Sequence, residues 1–463
     1  MKIPPAIPLA FALLVTVAAT LPDARAGLAG AALDFDAPLP ATAAALESAG
    51  AADSSDADVM RTNAAPPWVP ERPIPAATRW ETAVRLPGRI VTLPFSALGY
   101  VVENSMVHLE EELYITKLVY LLALLPRLGV LVTPASLGDR TGLGLGAGVV
   151  GPGRLKLLKA NVDASTGKYS STRLEAGYGP VRLQYGYDWR PRERFFGLGM
   201  ETDDQDEATF ASQSQHLRLS CRDTMAGRGP VRVDLGAWVG PREIVTRTGR
   251  EDESFDQVFP ALAGSLDQRV EHLTYGADVV VDGRSGRPHW SRGGRLRLRV
   301  ERFDKPIEAL ALRTTSTPFQ FTRLEYLAEG GASFHRDPRT VRLAVRVVDH
   351  RPDASGALLV PDLAVLGGRE GLAGFEPGRF HDSDLVVGKL SYIFPLAIRL
   401  EFDLHAEAGG VYGDVWKDAS GSSLRWSYGV ALRPRLDTAV LGAIGVDWSQ
   451  ETVRIRYSLG GVE

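Results

Sequence analysis

Cysteine is almost missing from this chain of 463 residues, where Cys221 stands alone. A single thiol excludes an intramolecular disulfide framework and any zinc site built on paired cysteines, and Cys221 reads as a small apolar strand residue. Strong charge of one sign is also missing. The formal net charge is −4 and the isoelectric point near 6.1, which argues against a nucleic-acid-binding surface. Beyond the N-terminus no apolar run is long enough to cross a bilayer as a helix. The nearest, Leu113 to Leu125, is short, interrupted by Lys117 and ended by Pro126. Catalytic signatures are missing as well, with no HExxH, GxSxG, SxxK or P-loop pattern. The run from Gly146 to Gly151 formally matches a dinucleotide fingerprint. It lies within glycine alternation and leads through Pro152-Gly153 into another strand, so no helix follows to receive a pyrophosphate. The eight histidines are dispersed, with His216, His272, His335 and His405 on or beside separate strands. A Ser/His pair assembled from neighbouring strands, as in an outer-membrane lipase, stays an open alternative. No catalytic residue, metal ligand or cofactor is assigned.

What is present begins with an export signal expected over 1–26. Lys2 supplies its positive end, Leu9 to Ala19 its apolar core, and Ala24-Arg25-Ala26 its small-x-small cleavage pattern. Residues 27–84 are rich in Ala, Pro, Asp and Ser, lack periodic apolar positions, and are expected to form a disordered linker. From 85 to 127 the pattern is mostly helical, with Glu110, Glu111 and Glu112 on a polar side. It predicts a short amphipathic periplasmic helix.

After Leu128 the period becomes two. Arg295-Leu296-Arg297-Leu298-Arg299-Val300 places charge on one face of a strand and aliphatics on the other, as do 341–347 and 453–457. A soluble sandwich gives the same local alternation. Three further features favour a membrane barrel: many long strands, an export signal, and short turns alternating with longer polar loops. The short turns are read at Gly151-Pro152-Gly153, Gly179-Pro180, Phe394-Pro395 and Pro434-Arg435. About sixteen strands are predicted, starting near residues 128, 142, 154, 168, 181, 209, 230, 272, 294, 318, 340, 383, 395, 423, 437 and 452. The expected fold class is all-β, a sixteen-stranded antiparallel transmembrane β-barrel over 128–463.

The stretch GGREGLAGFEPGRFHDSDLVVGKLSYIFPL, Gly367 to Leu396, followed by EFDLHAEAGGVYGD, resembles the bacterial surface antigen family, the outer-membrane protein assembly superfamily. The resemblance implies a 16-stranded barrel with a long extracellular loop folded back into its lumen. In the family the loop tip reads Val-Arg-Gly-Phe or Val-Arg-Gly-Tyr. Here it reads Leu372-Ala373-Gly374-Phe375, preceded by Gly367 and Gly368, so Ala373 stands where the family has arginine. The family's arginine pairs with acidic side chains on the inner wall of the twelfth and thirteenth strands. The thirteenth strand here offers Glu401, Asp403, His405 and Glu407, and Glu407 falls on the family's acidic position. Ser391 replaces the glutamate expected before Tyr392. Arg379 matches a recurrent family element, and it or Arg369 is expected to pair with Glu407 or Asp403.

Arg192-Glu193-Arg194-Phe195-Phe196-Gly197-Leu198-Gly199 resembles a second family element, at another long loop. The acidic run 203–207 reads either as a solvated loop or as a divalent-cation site. The linker has neither the length nor the pattern of the polypeptide-transport-associated domains that usually precede such barrels. The last strand, Thr452 to Leu459, ahead of Gly460-Gly461, suits a weak barrel seam. The expected role is a non-enzymatic outer-membrane barrel assisting protein insertion or translocation, with membrane lipids and unfolded outer-membrane proteins as partners. The alternatives are a surface-binding or structural barrel with its loops at 241–271 and 351–382 facing outward, or an anion pore lined by Arg295, Arg297 and Arg299.

Overall fold

A computed structural model describes residues 130–135, 144–150 and 158–459. Within that last range, parts of loops and turns stay outside the description, chiefly 227–230, 249–254, 285–291, 306–318, 334–338, 354–357 and 435–441. The export signal, linker and amphipathic helix expected over 1–127 lie outside the described residues.

The described chain is almost entirely strand. In order these are β1 Val130–Ala135, β2 Gly144–Val150, β3 Leu158–Ser165, β4 Ser170–Tyr178, β5 Val181–Phe195, β6 Ala208–Ala226, β7 Arg232–Thr248, β8 Arg269–Asp282 and β9 Arg292–Asp304. There follow β10 Phe321–Ser333, β11 Thr340–Pro352, β12 Ala364–Leu366, β13 Phe380–Asp382, β14 Asp384–Ala397, β15 Leu400–Tyr412, β16 Arg425–Pro434, β17 Gly442–Ser449 and β18 Val453–Leu459. Sixteen of them form one sheet in sequence order, while β12 and β13 pair only with each other inside the loop that joins β11 to β14. Fourteen of the sixteen predicted starts fall within four residues of the observed ones; the strands expected near 395 and 437 begin at Leu400 and Gly442.

Which face looks outward settles the ambiguity of the alternation. Leu296 is 54 % exposed, and Leu174, Leu183, Leu219, Leu343, Leu390, Ile444 and Ile455 are exposed with it. The enclosed face instead carries Asp278, Glu301, Asp403, Glu407 and Arg433, all buried. A soluble sheet buries its aliphatic side; a wall that shows aliphatics outside and shelters charge inside is a transmembrane β-barrel. The sheet is rolled, because one loop reaches around it: residues of 353–383 contact Arg242 on β7, Arg346 on β11, Glu407 on β15 and Arg454 on β18.

Charge inside the wall is neutralised in rows that skip a strand. Glu301 on β9 accepts from Arg218 on β6 (3.1 Å), from the Trp238 indole on β7 (2.9 Å) and from Arg299 on its own strand (2.9 Å). Arg218 and Arg299 also lie over the Trp238 ring, at 5.4 and 4.6 Å. Arg222 on β6 reaches Asp278 on β8 (2.6 Å) over Gly236 of the strand between. His405 on β15 reaches Asp447 on β17 (2.6 Å) over Gly429 in the same way, and Arg456 on β18 completes that row at 3.1 Å from Asp447. These glycines are steric gaps. A Cβ at Gly429 would lie 2.2 Å from Asp447 Oδ1, and one at Gly236 2.1 Å from Asp278 Oδ1.

One expectation about the strands needs correction. The turn placed at Phe394-Pro395 lies inside β14, where the proline is absorbed by a register shift between Pro395 and Ala397, and the two strands pair up to Ala397 with Leu400. Among the described residues, the length of the sixteen wall strands is also uneven, from six in β1 to nineteen in β6. Pro191 sits in a second register shift, between Arg190 and Glu193 of β5.

Filling the gap at Gly429 with Gly429→Val should part His405 from Asp447 and destabilise the folded barrel by about 1–3 kcal/mol, the usual cost of leaving a buried hydrogen-bonding group unsatisfied. The urea midpoint for loss of the compact, heat-modifiable form on gels measures this. An unchanged midpoint would mean that the row contributes no stability.

Candidate functional site

The loop between β11 and β14 carries its own small core. It leaves Pro352, makes a 3-10 turn at Val360–Asp362, runs through β12 and turns again at Gly368–Glu370. The tip follows, and the chain returns through β13. The N–H of Gly368 donates to the Phe375 carbonyl (3.1 Å) and that of Phe375 to the Leu372 carbonyl (2.9 Å), closing the tip on itself. Gly371 has φ 123°, a left-handed conformation that favours glycine. Leu372 adopts φ 57° with its side chain fully buried. Leu366, Leu372, Phe375 and Phe380 pack together with Val348, Leu385, Val387 and Val411 of the wall, and with Met200. The loop is therefore lodged inside the barrel by apolar burial as well as by charge.

Glu407, on the inner face of β15, receives the tip. The Ala373 N–H donates to its Oε2 at 2.6 Å, Lys389 Nζ lies 2.9 Å from Oε1, and Ser427 Oγ donates at 3.3 Å. Lys389, Glu407 and Ser427 are register partners on β14, β15 and β16 and form one row across the wall. At the place of the family's arginine, Ala373 contributes only its backbone, and the cation for Glu407 comes from the neighbouring strand. Arg454 of β18 holds the tip from the other side, donating to the carbonyls of Ala373 (3.2 Å) and Phe375 (2.6 Å). Gly374 lies so close to β17 that a Cβ would sit 2.5 Å from the Trp448 carbonyl oxygen.

Arg379 does not meet Glu407 or Asp403, contrary to expectation. Its guanidinium, 3 % exposed, makes a two-pronged contact with Glu451 in the β17–β18 turn, Nε to Oε2 at 2.9 Å and Nη2 to Oε1 at 3.1 Å. It also donates to the Thr202 hydroxyl and carbonyl, and lies over the rings of Phe196 and Phe380. Asp403 instead neighbours Arg433 and His405, each at 3.9 Å, and Glu401 is buried on the same face. Arg369 is exposed at the turn before the tip.

Lys389, Thr202, Glu451 and Arg454 escaped the sequence reading. Lys389 needed the register as well as the turn: a turn at 394–395 sets Glu407 opposite Asp382, whereas the observed pairing of Ala397 with Leu400, followed by the register shift at Pro395, sets it opposite Lys389. No local signal marks Thr202, Glu451 or Arg454, because their partners lie far away in sequence.

The second motif converges on the same place. Phe195 and Phe196 are buried, and the Gly199 N–H donates to the His381 carbonyl of the loop at 2.8 Å. Phe195 packs on Phe255, Phe259 and His381 with ring centroids 4.9 to 5.1 Å apart. Val360 of the long loop joins Phe255 and Leu266 of the β7–β8 connection in one core. The two long loops expected to face outward thus pack against each other. In the acidic run, Glu207 pairs with Arg194 and Asp203 caps the Gln205 N–H. Among the described residues no group of three or more His, Cys, Asp or Glu is arranged to hold a metal ion. The ladder of Arg295, Arg297 and Arg299 faces Glu329, Asp278 and Glu301 at 4.0, 3.4 and 2.9 Å, so its charge is already countered.

No family model matches this sequence, and no curated protein matches it. Similar solved structures include BamA from Haemophilus ducreyi lacking POTRA domains 1–3, at 11 % identity and TM-score 0.48, covering 72 % of this chain and 68 % of that one. CdiB from Escherichia coli is 12 % identical with TM-score 0.46, covering 71 % of this chain and 61 % of that one. CdiB from Acinetobacter baumannii is 13 % identical with TM-score 0.41, covering 71 % and 57 %. The chain therefore spans about three fifths of the length of the CdiB chains.

Lys389→Ala should destabilise the barrel by about 2–3 kcal/mol, less than a fully buried pair because Lys389 is a third exposed. Adding Glu407→Gln should recover part of that loss, with a coupling of about 1 kcal/mol or more in a double-mutant cycle. Additive losses would remove Lys389 as the partner of Glu407. A pH effect is expected at His381, whose complete burial in the loop pushes its imidazole down to about 3. The undocked loop binds the proton from about pH 6.5 downwards and the docked loop does not. Docking is therefore at full strength above pH 6.5 and weakens as the pH falls towards 3. Hydrogen exchange over 364–382, corrected for intrinsic rate, should be faster at pH 4.5 than at 7.5, and His381→Leu should flatten the difference.

Proposed function

We propose that this chain is an outer-membrane barrel of the surface antigen type that assists the insertion or translocation of other outer-membrane proteins. The observation that carries the reading is the shape of the wall. Among the described residues, the strands at the two ends of the sheet, β1 and β18, have six and seven residues, against fifteen to nineteen in β5, β6 and β7. Short terminal strands make a weak seam. When such a seam parts, each edge presents unpaired N–H and C=O groups on which an unfolded client strand can form a ladder. A short apolar wall there also thins the adjoining bilayer and lowers the barrier to insertion. The chemistry is non-covalent, so the reading assigns no catalytic residue and no cofactor.

On this reading residues 1–26 direct export, 27–84 form a periplasmic linker, and 85–127 lie at the periplasmic rim. The long-loop end of the barrel faces the outside of the cell, and lipids surround the aliphatic belt. A second reading, a structural or surface-binding barrel, is favoured by the shared apolar core that joins the two long loops. The countered arginine ladder speaks against the anion pore.

The test is assisted folding in liposomes. An unfolded outer-membrane barrel is added to vesicles with and without this protein, and its folding is followed by heat-modifiable gel mobility. Acceleration is expected, and it should vanish when cysteines placed within 130–135 and 453–459 are joined in a protein whose Cys221 has been replaced. No acceleration by correctly folded protein would favour the structural barrel.

A further inference from the structure

We infer that the β11–β14 loop is a clasp on the last hairpin, holding β17 and β18 in the wall so that release of the loop sets β18 free. The inference is independent of any client, because it concerns only how this barrel holds its own final strand.

Three separate contacts join the loop to that hairpin. Arg379, at the return of the loop, grips Glu451 in the β17–β18 turn through two N–H groups, at 2.9 and 3.1 Å. Arg454 of β18 donates to two carbonyls of the tip, Ala373 and Phe375, and its Nε lies 4.0 Å from Glu376. Gly374 presses against the β17 backbone at Trp448 and Ser449 with no room for a side chain. The contacts lie at one end of the hairpin, where Trp448 and Val453 make the last register pair.

Among the described residues, β18 pairs in register with β17 from Gly442↔Leu459 to Trp448↔Val453, and on the inner face Arg456 ties it to Asp447 and His405. The loop adds the grip at the end of the hairpin. Withdrawing the hairpin would leave Arg379, almost wholly enclosed, without its carboxylate, and withdrawing the loop would leave Arg454 without the carbonyls it serves. A buried donor that loses its partner costs more than the net gain of making the bond, so loop and hairpin dock or part together. The coupling is reciprocal: drawing β18 aside must loosen the loop by the same free energy.

Two unlike changes test the clasp on the folded full-length protein in lipid vesicles. Arg454→Gln weakens the grip from β18, and Gly374→Val forces the tip off β17 without altering charge. Trypsin cleavage after Arg379, a site enclosed while the loop is docked, reports loop release. Hydrogen exchange over 453–459 reports freedom of β18. Both variants should be cut at Arg379 and should exchange 453–459 at least tenfold faster than the parent, with β6 to β8 unchanged. Arg222→Ala, which breaks the row over Gly236, is the control and should speed exchange in β6 to β8 only. Cleavage at Arg379 with unchanged exchange over 453–459 would overturn the clasp. So would variants whose loop stays docked, since these contacts would then not be what holds it. Should Gly374→Val not reach the compact form, Glu451→Gln takes its place with the same expected result.

Discussion

A barrel wall is one residue thick, and this one turns its aliphatic side outward. Every ionisable side chain on the other face must therefore find its partner in the lumen, where an unpaired charge is expensive. Much of the interior follows from that constraint. The carboxylate of Glu301 is satisfied by two arginines and an indole drawn from three strands. Gly236 and Gly429 exist as gaps over which a side chain on one strand can reach its partner two strands away. Small residues in the wall are thus coupled to large charged ones on either side. Changing one strand without its neighbours leaves a clash or an orphaned charge.

The lodged loop obeys the same rule and adds an apolar element. Its arginine Arg379 is enclosed between two aromatic rings and needs the Glu451 carboxylate and the Thr202 oxygens. Its tip has no arginine, and the acidic wall residue that would have received one is balanced by Lys389 and by a backbone N–H. The same carboxylate is served by a different cation from a different direction. A departure at the most conspicuous motif position is thereby absorbed without removing the loop from the lumen. Leu366, Leu372, Phe375 and Phe380 supply burial that needs no charge at all.

Strength is distributed unevenly around the ring. Long strands and crowded inner rows occupy β5 to β10, whereas the ends of the sheet are short, and the last hairpin is gripped from inside by the loop. Arg379 and Arg454 join the lodged loop to that hairpin from opposite sides.

The sequence by itself determined the alternation, the number of strands and nearly all of their starts. Period-two patterning and turn residues are local properties, and Arg295 to Val300 reads as a two-faced strand with no knowledge of its neighbours. It also marked the two loop motifs that the structure brings together, through Gly199 and His381. It did not determine which face was wet, because aliphatic–charged alternation serves a soluble sheet and a membrane barrel equally. It did not determine partners either. The turn misplaced at Phe394-Pro395 shows why: a proline that ends many strands is here absorbed by a register shift, and moving the turn exchanges the residue opposite Glu407. Arg379 with Glu451, and His405 with Asp447, were decided by the tertiary structure alone. Those pairs form only when the sheet rolls up and a distant loop enters it, and closure of a ring is not a property of any single segment of chain.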